Sequence, residues 1–124
     1  MDNKKILIVE DERVLNKTLS DFLKTENFNV FSAYDGEEGV SLAKTEIPDL
    51  ILLDIILPKK NGYEVIKDLK ADASTKNIPI ILLTNLGGVK DIEKALELGA
   101  TTYLVKSDYK MADIALKIKS VLEA

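Results

Sequence analysis

Residues Asp49 to Pro58 read DLILLDIILP, an apolar run interrupted by a single carboxylate, Asp54. Leu50 to Leu53 are too continuously hydrophobic for a strand with one face in water. They predict a short strand buried on both faces, as in a parallel sheet covered by helices. Asp54 ends that strand, and the turn from Pro58 to Gly62 carries the chain away. A carboxylate in this position lies at the carboxyl rim, where open α/β sheets hold their chemistry.

The flanking sequence repeats the pattern outward. Toward the amino terminus, Ile6 to Val9 form a similar run ending in Glu10, Asp11 and Glu12. From Arg13 to Lys24, Val14, Leu15, Leu19, Phe22 and Leu23 recur at helical spacing. Asn27 and Asn29 flank a turn into a second strand, Phe28 to Ala33, and Asp35-Gly36 opens a helix carrying Val40, Leu42 and Ala43 that Pro48 closes. Toward the carboxyl terminus, Asn61-Gly62 starts a helix with Tyr63, Val65, Ile66 and Leu69. A polar loop, Ala71 to Asn77, leads to a fourth strand, Ile78 to Leu83, followed by Thr84-Asn85. Gly87-Gly88 precedes a helix carrying Ile92, Ala95, Leu96 and Leu98, capped by Gly99. Thr101 to Val105 form a fifth strand ending in Lys106, and the last helix presents Met111, Ile114, Ala115, Ile118, Val121 and Leu122.

Five strands alternating with five helices predict an α/β fold, a five-stranded parallel sheet of order 2-1-3-4-5 with helices on both faces. Strands one and three are then neighbours at the switch point. Glu10, Asp11 and Asp54 converge in one crevice there, bordered by Thr84 and Lys106.

Composition bounds the function. The chain has 124 residues, 46% of them hydrophobic, which suits one domain, residues 1–124, with no second effector domain expected. Asp and Glu outnumber Lys and Arg by 21 to 17, the net charge is -4, and Arg13 is the only arginine. That argues against direct nucleic-acid binding. With no cysteine, disulfides and thiolate metal sites are excluded. The apolar run near the start is too short for a signal peptide or membrane span, so a soluble cytoplasmic protein is expected.

Three carboxylates in one crevice require a positive partner. Oxygen ligands without His or Cys suit Mg²⁺, which binds through one or two carboxylates and keeps waters for a phosphate to replace. Lys106 adds a mobile cation and Thr84 a hydroxyl donor. Together they suggest phosphoryl transfer to Asp54 itself, as an aspartyl phosphate. Singly, each residue has an ordinary alternative: Asp11 a helix cap, Thr84 a strand residue, Lys106 a solvated charge, Asp54 a turn acid. Their joint placement at the carboxyl ends of one sheet is what those alternatives leave unexplained.

Over its full length the sequence resembles a response-regulator receiver domain of two-component signalling. The resemblance rests on Glu10-Asp11, Asp54, Pro58 with Gly62, Thr84, Gly99-Ala100, and Tyr103 shortly before Lys106. It implies the flavodoxin-like receiver fold and a phosphorylation-dependent switch without an enzyme's turnover of substrate, which catalyses its own Mg²⁺-dependent phosphorylation and dephosphorylation. Asp54 would accept the phosphoryl group from a histidine kinase or phosphotransfer protein. Glu10, Asp11, Asp54 and the backbone carbonyl of Ile56 would hold Mg²⁺ or Mn²⁺. Lys106 would pair with the phosphoryl group. Thr84 and Tyr103 would form the switch that reshapes the face of helix four, strand five and helix five for a downstream protein target, the chain being a monomer or a phosphorylation-dependent dimer. Ser107 stands where the family usually has Pro, and Asn85 where it usually has a smaller residue. The alternative is a receiver-like interaction module that works without phosphorylation. Ile56 and Leu86, apolar beside the site, are expected to slow hydrolysis. Arg13, Asn16, Lys17 and Ser20, on the helix that family kinases usually engage, do not identify a partner.

Overall fold

The computed structural model describes residues 3–84, 89–106 and 110–123. Ten elements alternate along it: β1 (Lys5–Val9), α1 (Arg13–Thr25), β2 (Asn29–Ala33), α2 (Gly36–Glu46), β3 (Leu50–Leu53), α3 (Gly62–Lys70), β4 (Ile80–Thr84), α4 (Val89–Leu98), β5 (Thr102–Val105) and α5 (Met111–Glu123). The strands form one parallel sheet in the order β2-β1-β3-β4-β5. Asn85, Leu86, Gly87, Gly88 and Ser107, singled out in the sequence, lie outside the described residues, as does the side chain of Thr84.

The central strand is buried at every position, and its alternation divides the interior. Ile51 and Leu53 join Leu7, Val9, Ile80 and Leu82 on the face covered by α2, α3 and α4. Leu50 and Leu52 join Ile6, Ile8, Ile81 and Leu83 on the face covered by α1 and α5. Period-two alternation places successive side chains on opposite faces. A strand covered by helices on both faces is therefore apolar throughout.

Local signals set the helix boundaries. The Asp35 carboxylate accepts from the Glu38 amide at 2.8 Å and starts α2, and α3 opens with a reciprocal capping box between Asn61 and Glu64. Gly99, at φ 122°, ends α4 in a conformation that favours glycine.

Four sequence readings shift. Phe28 precedes β2: its amide bonds the Leu23 carbonyl at 3.2 Å, and its buried ring closes α1. β4 begins at Ile80, because the Ile78 amide is spent on the Thr75 carbonyl. β5 begins at Thr102. Val14 is 82% exposed, and the inward stripe of α1 is Asn16, Leu19, Ser20 and Leu23. Among the described residues, no helix is long and apolar enough to cross a membrane.

Candidate functional site

The register of β1 and β3 builds the site. Val9 pairs with Leu53, so Glu10 and Asp54 are the next residues on adjacent parallel strands. The ladder runs one step past both strand ends: the Asp54 amide donates to the Val9 carbonyl at 3.0 Å and the Glu10 amide to the Ala33 carbonyl at 3.0 Å. Thr84 pairs with Val105 at the same rim, and Lys106 follows at the end of β5. The adjacent loop is anchored by the Gly62 amide on the Ile55 carbonyl at 2.7 Å. A Cβ on Gly62 would stand 2.6 Å from Ile55 Cα and 2.7 Å from the Asp54 carbonyl oxygen, so only glycine allows this approach.

Three carboxylates converge as the sequence predicted. Oxygens of Glu10, Asp11 and Asp54 all lie within 4.8 Å of one another. Glu10 and Asp54 are buried, while Asp11 is exposed. The Lys106 ammonium contacts Glu10 Oε1 and lies 3.1 Å from Asp54 Oδ2. Glu10 Oε2 accepts from the Glu12 amide at 3.1 Å, and Asp54 Oδ1 accepts from the Ile56 amide at 3.4 Å. Asp11 has no ion pair among the described residues, and the residue that caps α1 is Glu12, with no side-chain cap bond, so capping does not account for Asp11.

The electrostatics are unbalanced. At an effective dielectric of about 20, two carboxylates at this separation repel by roughly 3 kcal/mol, and three of them face one ammonium. Burial raises the Glu10 pKa above the usual carboxylate value, although the Lys106 hydrogen bond and the Glu12 amide pull it back. Burial works against the charge of Lys106, but the Glu10 hydrogen bond and the Asp54 charge outweigh it and raise its pKa. The donor set is all oxygen, it keeps excess negative charge after Lys106 is counted, and one ligand faces solvent. These residues suit a hard divalent cation such as Mg²⁺.

A family model described as the response regulator receiver domain matches residues 6–119. The chain belongs to the response-regulator receiver family. Among relatives of this receiver, the transcriptional regulatory protein CpxR of Escherichia coli K12 is 41% identical over 118 residues, covering 95% of this chain and 49% of that protein. The probable transcriptional regulator ycf27 of Porphyridium aerugineum is 39% identical over 122 residues, covering 98% and 49%. The receiver thus spans about half the length of the curated relatives it matches.

Solved structures agree with the receiver assignment. A putative response regulator from Chloroflexus aurantiacus superposes with a TM-score of 0.92 at 28% identity, covering 99% of this chain and 100% of that one. The receiver domain of a Pseudomonas aeruginosa sensor histidine kinase, which carries a magnesium ion coordinated in its active-site cleft, has a TM-score of 0.90 at 28% identity, covering 99% and 100%.

Of the residues expected at this receiver's site, Glu10, Asp11, Asp54 and Lys106 come together. Ile56 is adjacent through its amide, with its side chain 63% exposed. Tyr103 lies on β5 with 41% of its surface exposed. Sequence reasoning missed Asn16, which is buried and donates its side-chain amide to the carbonyls of Glu10 and Ala33. The spacing of Asn16, Leu19, Ser20 and Leu23 carries the signal, but two polar residues within it hid the inward face.

Proposed function

We propose that this receiver accepts a phosphoryl group on Asp54 from the phosphohistidine of a histidine kinase or phosphotransfer protein and signals through the resulting change of surface. The observation that carries this is the Asp54 carboxylate, 3.1 Å from the Lys106 ammonium and grouped with the Glu10 and Asp11 oxygens at the rim of the sheet. Glu10, Asp11, Asp54 and the Ile56 carbonyl are the groups that would hold Mg²⁺. A bound ion would offset the carboxylate charges and supply Lewis-acid stabilisation to the phosphoryl oxygens.

An Asp54 carboxylate oxygen forms the new bond to phosphorus as the phosphorus–nitrogen bond of the donor breaks, and the imidazole leaves with that electron pair. Lys106 shifts from its carboxylate partners to the incoming phosphoryl oxygens, so its charge is positioned before transfer. Hydrolysis reverses the gain: water attacks phosphorus and the carboxylate is released. The receiver is thus a phosphoacceptor that promotes its own loading and unloading. Thr84 and Tyr103, on the adjacent strands β4 and β5, relay the new charge to the α4, β5 and α5 face, where a downstream protein or a second copy docks. Population shift suffices for this relay, since the phosphoryl group needs only a differential contact with one of two states. Support for the Mg²⁺ assignment comes from the Pseudomonas receiver with magnesium in its cleft. Support for the acyl-phosphate state comes from the Borrelia burgdorferi CheY, solved with BeF₃ and Mg²⁺ in complex with CheX, at 30% identity and a TM-score of 0.87 over 95% of this chain and 88% of that one.

Intact mass after incubation with Mg²⁺ and acetyl phosphate is the test. A gain of one phosphoryl group, lost without Mg²⁺ and in Asp54→Asn, is the expected result. No gain, together with no binding of beryllium fluoride, would replace this reading with a module that signals by binding alone.

A further inference from the structure

Asn16 sits on α1 beneath the acidic turn and is fully buried. Its backbone amide donates to the Glu12 carbonyl at 2.9 Å. Its side-chain amide donates to the Glu10 carbonyl at 3.0 Å and to the Ala33 carbonyl at 3.2 Å. The side chain's orientation follows from chemistry, because the atom that faces two carbonyl oxygens has to be the NH₂ group. The side chain therefore ties the Glu10 carbonyl, just before Asp11, to the end of β2, while the Glu12 carbonyl is held by a helical backbone amide that does not depend on the side chain.

The three carboxylates differ in what holds them. Glu10 and Asp54 each contact Lys106 and each accept a backbone amide. Asp11 is exposed and has no ion pair among the described residues, so its place is set by the turn that carries it. Backbone amides and the Glu10 carboxylate hold the rest of that turn, and the Glu10 carbonyl at its start is held by the Asn16 side chain. The arrangement carries a cost: buried Asn16 Oδ1 has no partner among the described residues, a penalty that an apolar side chain at this position would not incur.

We infer that Asn16 is a positioning residue for the ion site, fixing Asp11 through the side-chain bond that ties the Glu10 carbonyl beside it to β2, while touching neither the ion nor the phosphoryl group. The inference rests on the proposed function. Outer partners that orient ligands typically change metal affinity by about 10–100-fold when removed. Asn16 acts through ligand placement, so its loss weakens ion binding and leaves phosphoryl transfer at saturating ion nearly unchanged.

The test uses Mn²⁺ alone, with the free ion followed by electron paramagnetic resonance, on the wild type, Asn16→Leu and Asn16→Ala. Thr75→Val is the control: Thr75 is buried and its hydroxyl donates to the Leu69 carbonyl at 2.7 Å, beyond the end of α3. The expected result is an Mn²⁺ dissociation constant raised about tenfold in both Asn16 variants. Thr75→Val should lose stability yet bind Mn²⁺ as the wild type does. Phosphoryl uptake from acetyl phosphate at saturating Mg²⁺ should stay near the wild-type rate in the Asn16 variants. A folded Asn16 variant with wild-type Mn²⁺ affinity would overturn the inference and leave the proposed function standing. Failure of both Asn16 variants to fold would make the residue structural and also overturn it. A wild type that binds no Mn²⁺ would overturn both readings together.

Discussion

Ile56, whose amide donates to the Asp54 carboxylate at 3.4 Å, carries a largely exposed apolar side chain. An apolar group rooted this close to Asp54 would limit the approach of water to a phosphoryl group carried there. Ile56→Asn is therefore expected to shorten the life of the phosphoaspartate several-fold, read as the decay of the phosphorylated mass after the donor is removed. An unchanged decay would show that water reaches phosphorus by another side. Lys106 poses the complementary test, because Lys106→Met strips the buried cation from Glu10 and Asp54. Phosphoryl uptake should fall by an order of magnitude or more while Mn²⁺ is still bound, since the three carboxylates remain. At this scale the sequence was informative for Glu10, Asp11, Asp54 and Lys106, whose positions follow from where apolar runs end. Asn16 was not legible in the same way: a polar residue on an amphipathic helix reads as solvent-facing, and its burial depends on two carbonyls, that of Glu10 just after β1 and that of Ala33 at the end of β2.

Between elements, α3 joins the site to α4. At its first residue, Gly62 lies against the backbone of Asp54 and Ile55. The next residue, Tyr63, has its hydroxyl 3.2 Å from the Asp91 carbonyl and 3.4 Å from the Asp91 carboxylate, with the Lys94 ammonium 4.4 Å from its ring centroid. Gly62→Ala forces a methyl into backbone and should cost about 2–3 kcal/mol by denaturant unfolding, with slower phosphoryl uptake because Asp54 is displaced. Tyr63 gives a signed pH effect. Burial, then the Asp91 charge and the hydrogen bond to Asp91, raise its pKa above the ordinary 10.0. As pH rises the unfolded chain releases this proton first, so the contribution to stability is complete below the unfolded pKa and is lost as pH passes through the folded one. Tyr63→Phe should thus cost about 0.5–1 kcal/mol near neutral pH, and the gap from the wild type should narrow near the folded pKa. The elements themselves were legible from periodicity. Their edges moved where one hydrogen bond decided the matter, as at Phe28 and Ile78, and the exposure of Val14 reflects which face of α1 the sheet selects.

Across the whole molecule, the sheet separates two apolar layers that share β3. Leu82→Ala removes a side chain from the layer under α2, α3 and α4, and Leu52→Ala removes one from the layer under α1 and α5. Each should cost about 2–5 kcal/mol, and each should lower the midpoint of one unfolding transition without splitting it, because both layers are anchored to the same strands. Strand order and layer arrangement were readable from the alternation of buried runs and amphipathic segments, since right-handed crossovers leave few other arrangements. The crowded acids at the rim give this architecture a further property. Asp54 joins Glu10 and Asp11 only in the folded chain, so an ion that relieves the repulsion among the three favours folded over unfolded molecules. Thermal unfolding becomes a gauge of divalent-ion supply: at an ion concentration about a hundredfold above the dissociation constant, the native state gains roughly 2.7 kcal/mol. The melting temperature should therefore climb with added Mg²⁺ when no phosphoryl donor is present. Asp54→Asn, with one charge fewer to relieve, should melt higher than the wild type in the absence of ion and respond less as ion is added.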